Sequence, residues 1–176
     1  VDSVGNAYVT GRTESASIFY PTTTGAFDTT HNGGSDAFVT KLSISGASLE
    51  YSTFLGGGNS DFGNGIDVDS FGNAYVTGIA RFDSSVPFPT TTDAFDQTAN
   101  GLINAFVSRF NTSGSDLIYS TIIGDGSDEG FDIVVDNSNN VFITGETSDL
   151  NSAAYPTTRR TTKTRPEKRP GQLARY

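Results

Sequence analysis

A stretch rich in carboxylates offers the first candidate chemistry. The segment "DGSDEGFDIVVD", residues 125–136, places oxygen-bearing side chains at alternate positions, as calcium-binding loops do. Its candidate ligands are Asp125, Ser127, Glu129 and Asp136. The twelfth position holds Asp where such loops hold Glu, and no flanking helices are expected, so a turn before a strand explains the segment equally well. We predict no metal site and keep calcium as the alternative.

Candidate catalytic groups are few. Asp67 and Asp132 lie on strands expected to be innermost in successive repeats, and two carboxylates about 5 to 9.5 Å apart can hydrolyse a glycosidic bond. The sequence does not give their separation. His31, the one histidine, lies in a glycine-rich loop without a recognisable partner nucleophile. Asn111 begins an Asn-Thr-Ser sequon in "NTSG", which is typical of a turn. We therefore predict no catalytic residue and no cofactor.

Composition limits the partners. The chain has 176 residues, no Cys and no Met, and a net charge of −9. Residues 1–158 hold 4 basic and 19 acidic side chains, whereas residues 159–176 hold 7 basic and 1 acidic. Such an acidic body should repel nucleic acid and anionic lipid, and no apolar run approaches the roughly 18 residues of a membrane span. We expect no nucleic-acid partner and no membrane span.

A repeat organises the chain. "VDSVGNAYVTG" begins at residue 1, "VDSFGNAYVTG" at 68 and "VDNSNNVFITG" at 135, a spacing of 67 residues each time. The likeness continues through "YPTTTGAFDTT" and "FPTTTDAFDQT", and through "DAFVTKLSISGASLEYSTFLG" and "NAFVSRFNTSGSDLIYSTIIG". Periodic self-similarity on this scale indicates stacked copies of one supersecondary unit. Because the chain opens inside a repeat, we expect it to be a piece of a longer protein.

Four strands are predicted in each repeat. In the central copy they cover 64–69, 73–79, 104–110 and 116–123. Turn sequences with Gly or Asn separate the first pair and the last pair, which predicts consecutive antiparallel hairpins, a four-stranded meander. In the third copy Asn139 replaces the turn glycine, and Asn also tolerates a left-handed backbone. Apolar residues occupy both faces of these strands, as expected for a sheet between two others.

Stacked four-stranded sheets predict an all-β fold of β-propeller blades, since solenoid coils are usually shorter than this repeat. We expect an incomplete propeller fragment of about two and a half blades in residues 1–158. Blade one is partial (1–56), blade two is complete (57–124) and blade three is partial (125–158). The segment 159–176 breaks the pattern and is predicted to be a basic, disordered tail. The alternatives are that it binds an acidic partner or that it results from a frameshift at the end of the gene.

These motifs carry a family resemblance. "VDSFGNAYVTG", the Pro-Thr-Thr loop, "DAFVTKL" and "YSTFLGG" together resemble the bacterial Seven-Bladed Beta Propeller repeat, SBBP, over residues 1 to about 158. The resemblance implies propeller blades in large secreted or surface-attached bacterial proteins, and no defined activity. We therefore expect an extracellular or cell-surface location.

The predicted function is non-catalytic, a scaffold or a binding module for a protein or glycan. Residues that differ between copies mark the preferred interaction surface: "SASIFY" at 15–20 against "DSSVPF" at 83–88, and "THNGGSD" at 30–36 against "TANGLIN" at 98–104. The alternative is part of a propeller-based polysaccharide hydrolase or lyase. Open blade faces also predict self-association.

Overall fold

The computed structural model describes residues 1–14, 19–124 and 126–148. These residues form nine strands and no helix: β1 Ala7–Thr13, β2 Asp36–Leu42, β3 Leu49–Leu55, β4 Phe62–Val68, β5 Ala74–Arg81, β6 Ile103–Phe110, β7 Leu117–Ile123, β8 Asp128–Val135 and β9 Val141–Thr147. They make three antiparallel sheets, ordered β1-β2-β3, β4-β5-β6-β7 and β8-β9. The predicted all-β fold of antiparallel meanders is confirmed. The basic segment 159–176 lies outside the described residues.

The described part of the chain contains no helix long and apolar enough to cross a membrane.

The hairpin turns use residues that tolerate a left-handed backbone. Gly72, between β4 and β5, has φ +89°, and Asn139, at the same place between β8 and β9, has φ +61°. Asn adopts this conformation more readily than other non-glycine residues because its short polar side chain hydrogen-bonds locally. The substitution of Asn139 for glycine therefore preserves the turn, as predicted.

The first strand of the central sheet begins two residues earlier than predicted. The prediction covered 64–69, whereas β4 begins at Phe62. A β-bulge between Gly63 and Gly65 interrupts the two-residue alternation by which a strand is recognised in sequence. Opposite the bulge, a Cβ atom on Gly78 would collide with the carbonyl oxygen of Phe62. Glycine at position 78 therefore allows the two strands to approach.

The sheets pack face against face. Every residue from Ala74 to Ala80 on β5 is buried, because this strand has neighbours on both of its faces. Two apolar clusters join the sheets: Ala37, Val39, Tyr51, Leu55, Ala74, Val76, Ala80, Phe88, Phe106, Phe110 and Ile122 between the first and second, and Tyr75, Val107 and Ile133 between the second and third. This arrangement explains why apolar residues occupy both faces of the central strands.

The boundary between the second and third sheets repeats the boundary between the first and second. Thr10 on β1 lies against Gly63 on β4, and Thr77 on β5 lies against Gly130 on β8. Both members of the second pair follow their counterparts by 67 residues. The sequence period is therefore also the period of the packing.

The Pro-Thr-Thr connections lie along the last strand of their own sheet. The backbone N–H of Thr23 donates to the carbonyl of Ser52 on β3, and that of Thr91 donates to the carbonyl of Ser120 on β7, each at 3.0 Å. These hydrogen bonds cover an edge that would otherwise present unpaired backbone groups.

Candidate functional site

The best-connected polar cluster surrounds Asp69, at the end of β4. Its Oδ1 accepts hydrogen bonds from the backbone N–H groups of Phe71 and Asn73, at 3.0 and 2.9 Å. Its Oδ2 accepts from Asn73 Nδ2 at 2.8 Å, the Tyr75 hydroxyl at 3.3 Å and Arg109 Nη2 at 2.9 Å. Burial raises the pKa of Asp69, but the hydrogen bonds from Asn73, Phe71 and Arg109 outweigh it and lower that pKa overall. The cluster holds the turn, and both oxygens of the Asp69 carboxylate are occupied by hydrogen bonds within the fold.

The same cluster occurs in the first repeat. Asp2 accepts hydrogen bonds from Asn6 and the Tyr8 hydroxyl, and Lys41 forms an ion pair with it at 3.4 Å. Lys41 also lies over the Tyr8 ring, as Arg109 lies over the ring of its own repeat's tyrosine. The polar residues that the two repeats share therefore stabilise the fold of each repeat. Lys41 and Arg109 occupy corresponding positions in the two repeats, and this recurrence of a basic residue was a sequence signal for the ion pair that the motif analysis missed.

The calcium candidates do not converge. Asp136 holds its own turn by accepting the backbone N–H groups of Ser138 and Asn140, each at 2.8 Å. Ser127 precedes β8 and Asp136 follows it, so the length of an eight-residue strand, about 25 Å, separates them. Glu129 lies within that strand, and Asp125 lies outside the described residues. Across the described ranges, no group of three or more His, Cys, Asp or Glu side chains is placed to hold a metal ion.

The candidate catalytic groups have structural partners. Asp67 Oδ2 accepts the backbone N–H of Val135 at 2.8 Å, which ties β4 to β8. Asp132 Oδ1 accepts the N–H of the residue that follows it, at 2.9 Å. His31 stacks edge-on against Phe54. Asp67, Asp132 and His31 therefore each make a structural contact within the fold.

Asn111 uses its side chain within its own turn. Its Nδ2 donates to the Ser115 hydroxyl at 3.0 Å and to the Asp116 carboxylate at 2.9 Å. Its Oδ1 accepts the backbone N–H of Ser115 at 3.0 Å. The amide therefore acts as the turn residue that its sequence context indicates.

A groove of about 540 Å³ lies between the second and third sheets. Aromatic and aliphatic side chains make most of its wall, and a few polar groups lie among them: Tyr75, Asp93, Phe95, Val107, Arg109, Ile118, Tyr119, Thr121, Ile123, Asn139, Val141 and Ile143. We call this space the intersheet groove. An apolar wall with a few polar groups is typical of a binding site.

The first boundary indicates what fits the intersheet groove. There the space corresponding to the groove is filled by the strand pair β6–β7: Phe110 stacks edge-on against Phe27, and Gly114 lies directly on the ring of Tyr51. Tyr51 is buried in consequence, whereas its counterpart Tyr119 lines the groove. The groove therefore corresponds to the space that the strand pair β6–β7 fills at the first boundary.

The two ends of the sheets differ in character. The antiparallel order puts the short hairpin turns at one end and the long, variable connections at the other. Large apolar side chains are exposed within those connections, Phe19 at 76% and Leu102 at 80%. The part of "SASIFY" at 15–18 lies outside the described residues. We call this end the long-loop end.

Repeated antiparallel sheets, stacked face to face with a sequence period equal to the packing period, have the architecture of β-propeller blades. The family model SBBP, described as a beta-propeller repeat, matches residues 50–78 and 118–150. The two matches cover corresponding stretches, from the last strand of one sheet to the second strand of the next, and these stretches are SBBP repeats. A comparison with curated proteins found no match to the chain.

Proposed function

We propose that this chain is a non-catalytic segment of a β-propeller that serves as a scaffold or as a protein- or glycan-binding module. We further propose that its parent is a secreted or surface-attached bacterial protein, as its SBBP repeats suggest. The observation that carries the proposal is the division of labour between shared and variable residues. Shared polar groups such as Asp69 have hydrogen-bond partners inside the fold, whereas exposed, variable side chains lie at the long-loop end.

The long-loop end has the properties of a recognition surface. Phe19 and Leu102 are exposed, and the copies differ around both of them. Loops held by a rigid sheet commonly carry binding residues, because they vary without disturbing the core. Exposed aromatic and aliphatic groups beside Asn and Ser suit a sugar face or a protein patch.

The alternative, part of a polysaccharide hydrolase or lyase, has less support. It needs carboxylates that face one another along the innermost strands. Of the carboxylates on β4 and β8, those of Asp67 and Asp132 accept backbone hydrogen bonds, and Asp128 is buried. We therefore favour binding over catalysis.

Binding of the full chain to an array of bacterial and plant polysaccharides tests the proposal. The double variant Phe19→Ser with Leu102→Ser should bind at least about tenfold more weakly, a loss of about 1.4 kcal/mol. The matched control is Phe71→Ser, which removes a ring that is 71% exposed in a hairpin turn at the opposite end of the sheet. Equal losses in both variants, or no glycan bound by the unmodified chain, would contradict a glycan-binding long-loop end.

A further inference from the structure

Two aspartates meet at the junction of the first and second sheets. Asp36 begins β2, Asp61 immediately precedes β4, and both residues are fully buried. They converge on Gly56: a Cβ atom there would lie 2.9 Å from Asp36 Oδ1 and 3.0 Å from Asp61 Oδ2. The missing side chain of Gly56 therefore leaves the space that both carboxyl groups approach.

Three of the four carboxyl oxygens have backbone donors. Asp61 Oδ1 accepts the N–H of Arg81 at 2.9 Å, and Asp61 Oδ2 accepts the N–H of Gly57 at 2.6 Å. Asp36 Oδ2 accepts the N–H of Asn32 at 2.7 Å. The fourth, Asp36 Oδ1, is buried without a hydrogen-bond partner. A buried oxygen without a partner costs about 1–3 kcal/mol, so this atom requires an explanation.

Charged and titratable groups from the connection before β2 and from the end of β5 act on the pair. His31 and Asp28 come from the connection before β2, and both act electrostatically on Asp36. Arg81, at the end of β5, favours ionised Asp61. Further along the same elements, Arg12 pairs with Ala37 across β1 and β2, the exposed Glu14 follows β1, and the Asp83 carboxylate approaches Gly58. Neither arginine hydrogen-bonds to Asp36 Oδ1, so that oxygen still lacks a donor.

A cation is a poor partner for the free oxygen. Calcium takes six to eight oxygen ligands, and this junction offers two carboxyl groups, of which that of Asp61 already accepts two backbone N–H groups. No third His, Cys, Asp or Glu among the described residues completes a metal-binding group. A proton shared between two carboxyl oxygens requires no further ligand.

We propose that Asp36 and Asp61 share one proton in weakly acidic solution up to neutral pH, with Asp36 Oδ1 donating to Asp61 Oδ2, and that this shared proton is a pH-sensitive link between the first and second sheets. One proton is taken from solvent when the chain folds. It gives the free oxygen a partner and removes the repulsion between two buried negative charges.

The direction of the pKa shifts agrees with the geometry. Burial and, to a smaller extent, the nearby Asp36 carboxylate raise the pKa of Asp61 to about 7, against the backbone hydrogen bonds from Gly57 and Arg81, which lower it. Burial also raises the pKa of Asp36. An unfolded aspartate has a pKa of about 3.9, so between about pH 4 and pH 7 the folded chain holds a proton that the unfolded chain has lost. The stability from this link is complete below about pH 4 and is lost as pH rises through about 7.

The second repeat provides a natural comparison. Asn104 occupies the position that corresponds to Asp36, and its Nδ2 donates to the carbonyl of Gly101 at 2.9 Å. The substitution Asp36→Asn therefore introduces a residue that the same fold already accepts. The matched control is Asp93→Asn, which removes one negative charge from an exposed position.

Urea unfolding of the full chain from pH 4.5 to 8 tests the proposal. In the unmodified chain and in Asp93→Asn, the folded-to-unfolded ratio should fall by up to about tenfold per pH unit between pH 5 and 7. In Asp36→Asn that dependence should weaken and move to lower pH, because the carboxylate that helps to raise the pKa of Asp61 is gone. Equal pH dependence in all three proteins would overturn the proposal.

Carboxyl ¹³C NMR of the unmodified chain gives a readout that depends on no substitution. One coupled pair of aspartates should titrate with a midpoint near neutral pH and be unaffected by added calcium chloride. If every aspartate titrates below about pH 5, the shared proton is wrong. If calcium shifts the pair's signals at neutral pH, the junction holds a cation, which also overturns the proposal.

Discussion

At the turn between β4 and β5, five donors converge on the carboxylate of Asp69, including the backbone groups of Phe71 and Asn73 and the guanidinium of Arg109. The repeat keeps Asp here because only an acceptor with several lone pairs satisfies so many donors. In the third repeat Asp136 keeps the backbone donors, but Phe142 replaces the tyrosine. The same sequence motif therefore gives Asp69 more hydrogen-bond donors than it gives Asp136.

Asp69→Asn should destabilise the fold much more than Asp136→Asn. The first change removes a charge that is paired with Arg109 and fully buried, and it puts an amide donor among donors, a loss of about 3 kcal/mol. The second affects an exposed turn, where solvent replaces the lost hydrogen bonds, and should cost much less. Urea unfolding of both variants measures the difference. Equal losses would mean that the ion pair and the Tyr75 hydroxyl add nothing to the turn.

Acid should unfold the chain partly through Asp69. Its pKa is lower in the folded chain than the value of about 3.9 expected when unfolded. Its contribution to stability is therefore fully present above about pH 4 and is lost as pH falls through the folded pKa. In thermal melts from pH 2.5 to 5, Asp69→Asn should show a shallower decline than the unmodified chain. An unchanged decline would assign acid unfolding to other carboxylates, such as Asp2, whose pKa is also lowered.

At the scale of strands, the sequence predicted the elements better than their contacts. Period, turn residues and two-sided apolar patterns indicated the meander and the left-handed Asn139. The early start of β4 at Phe62 escaped, because the bulge breaks strand alternation. The convergence of Asp36 and Asp61 also escaped, because residues 25 positions apart become neighbours only when two sheets pack. The intersheet groove depends on the same long-range packing.

Glycine at the end of the "VTG" motif gives a test at this scale. Gly78→Ala should cost more than about 3 kcal/mol, because the new methyl group would collide with the Phe62 carbonyl across the bulge. Gly11→Ala is the matched control at the corresponding position of β1, where the new methyl group would meet only the Phe38 ring at 2.9 Å. A side chain can move aside more easily than backbone, so we expect about 1 kcal/mol there. Similar losses by urea unfolding would contradict the bulge geometry.

At the scale of the molecule, a stack of sheets has two outer faces. On the third sheet, the cross-strand pair Val134 and Phe142 is 54% and 60% exposed. On the first sheet, Val9 is exposed at the position where its counterpart Val76 is buried between sheets. Apolar faces that neighbouring blades cover inside a propeller are therefore open at both ends of the described stack.

Self-association through these faces is the expected consequence, and we propose it as a property of the chain. Light scattering should detect species larger than the monomer as concentration rises. The double variant Val134→Lys with Phe142→Lys should shift the distribution towards monomer, because two charges would be buried in the contact. Phe71→Lys, at a similarly exposed ring in a turn, should leave it unchanged. A monomer at every concentration, or equal effects of both variants, would contradict association through the outer faces.

Cysteine cross-linking tests the central claim, that the repeat unit is a sheet stacked on its neighbours with one recurring geometry. The chain has no cysteine, so introduced pairs report without interference. The pairs are Thr10→Cys with Gly63→Cys, where the Cβ positions are 3.2 Å apart, and the corresponding Thr77→Cys with Gly130→Cys.

Peptide mass spectrometry after mild oxidation should find an intramolecular disulfide in each of these two variants. It should find none when Thr10→Cys is combined with Gly130→Cys, which lie on sheets that are not adjacent. Bridging at only one boundary, or in the mismatched pair, would mean that successive repeats do not stack in the same way.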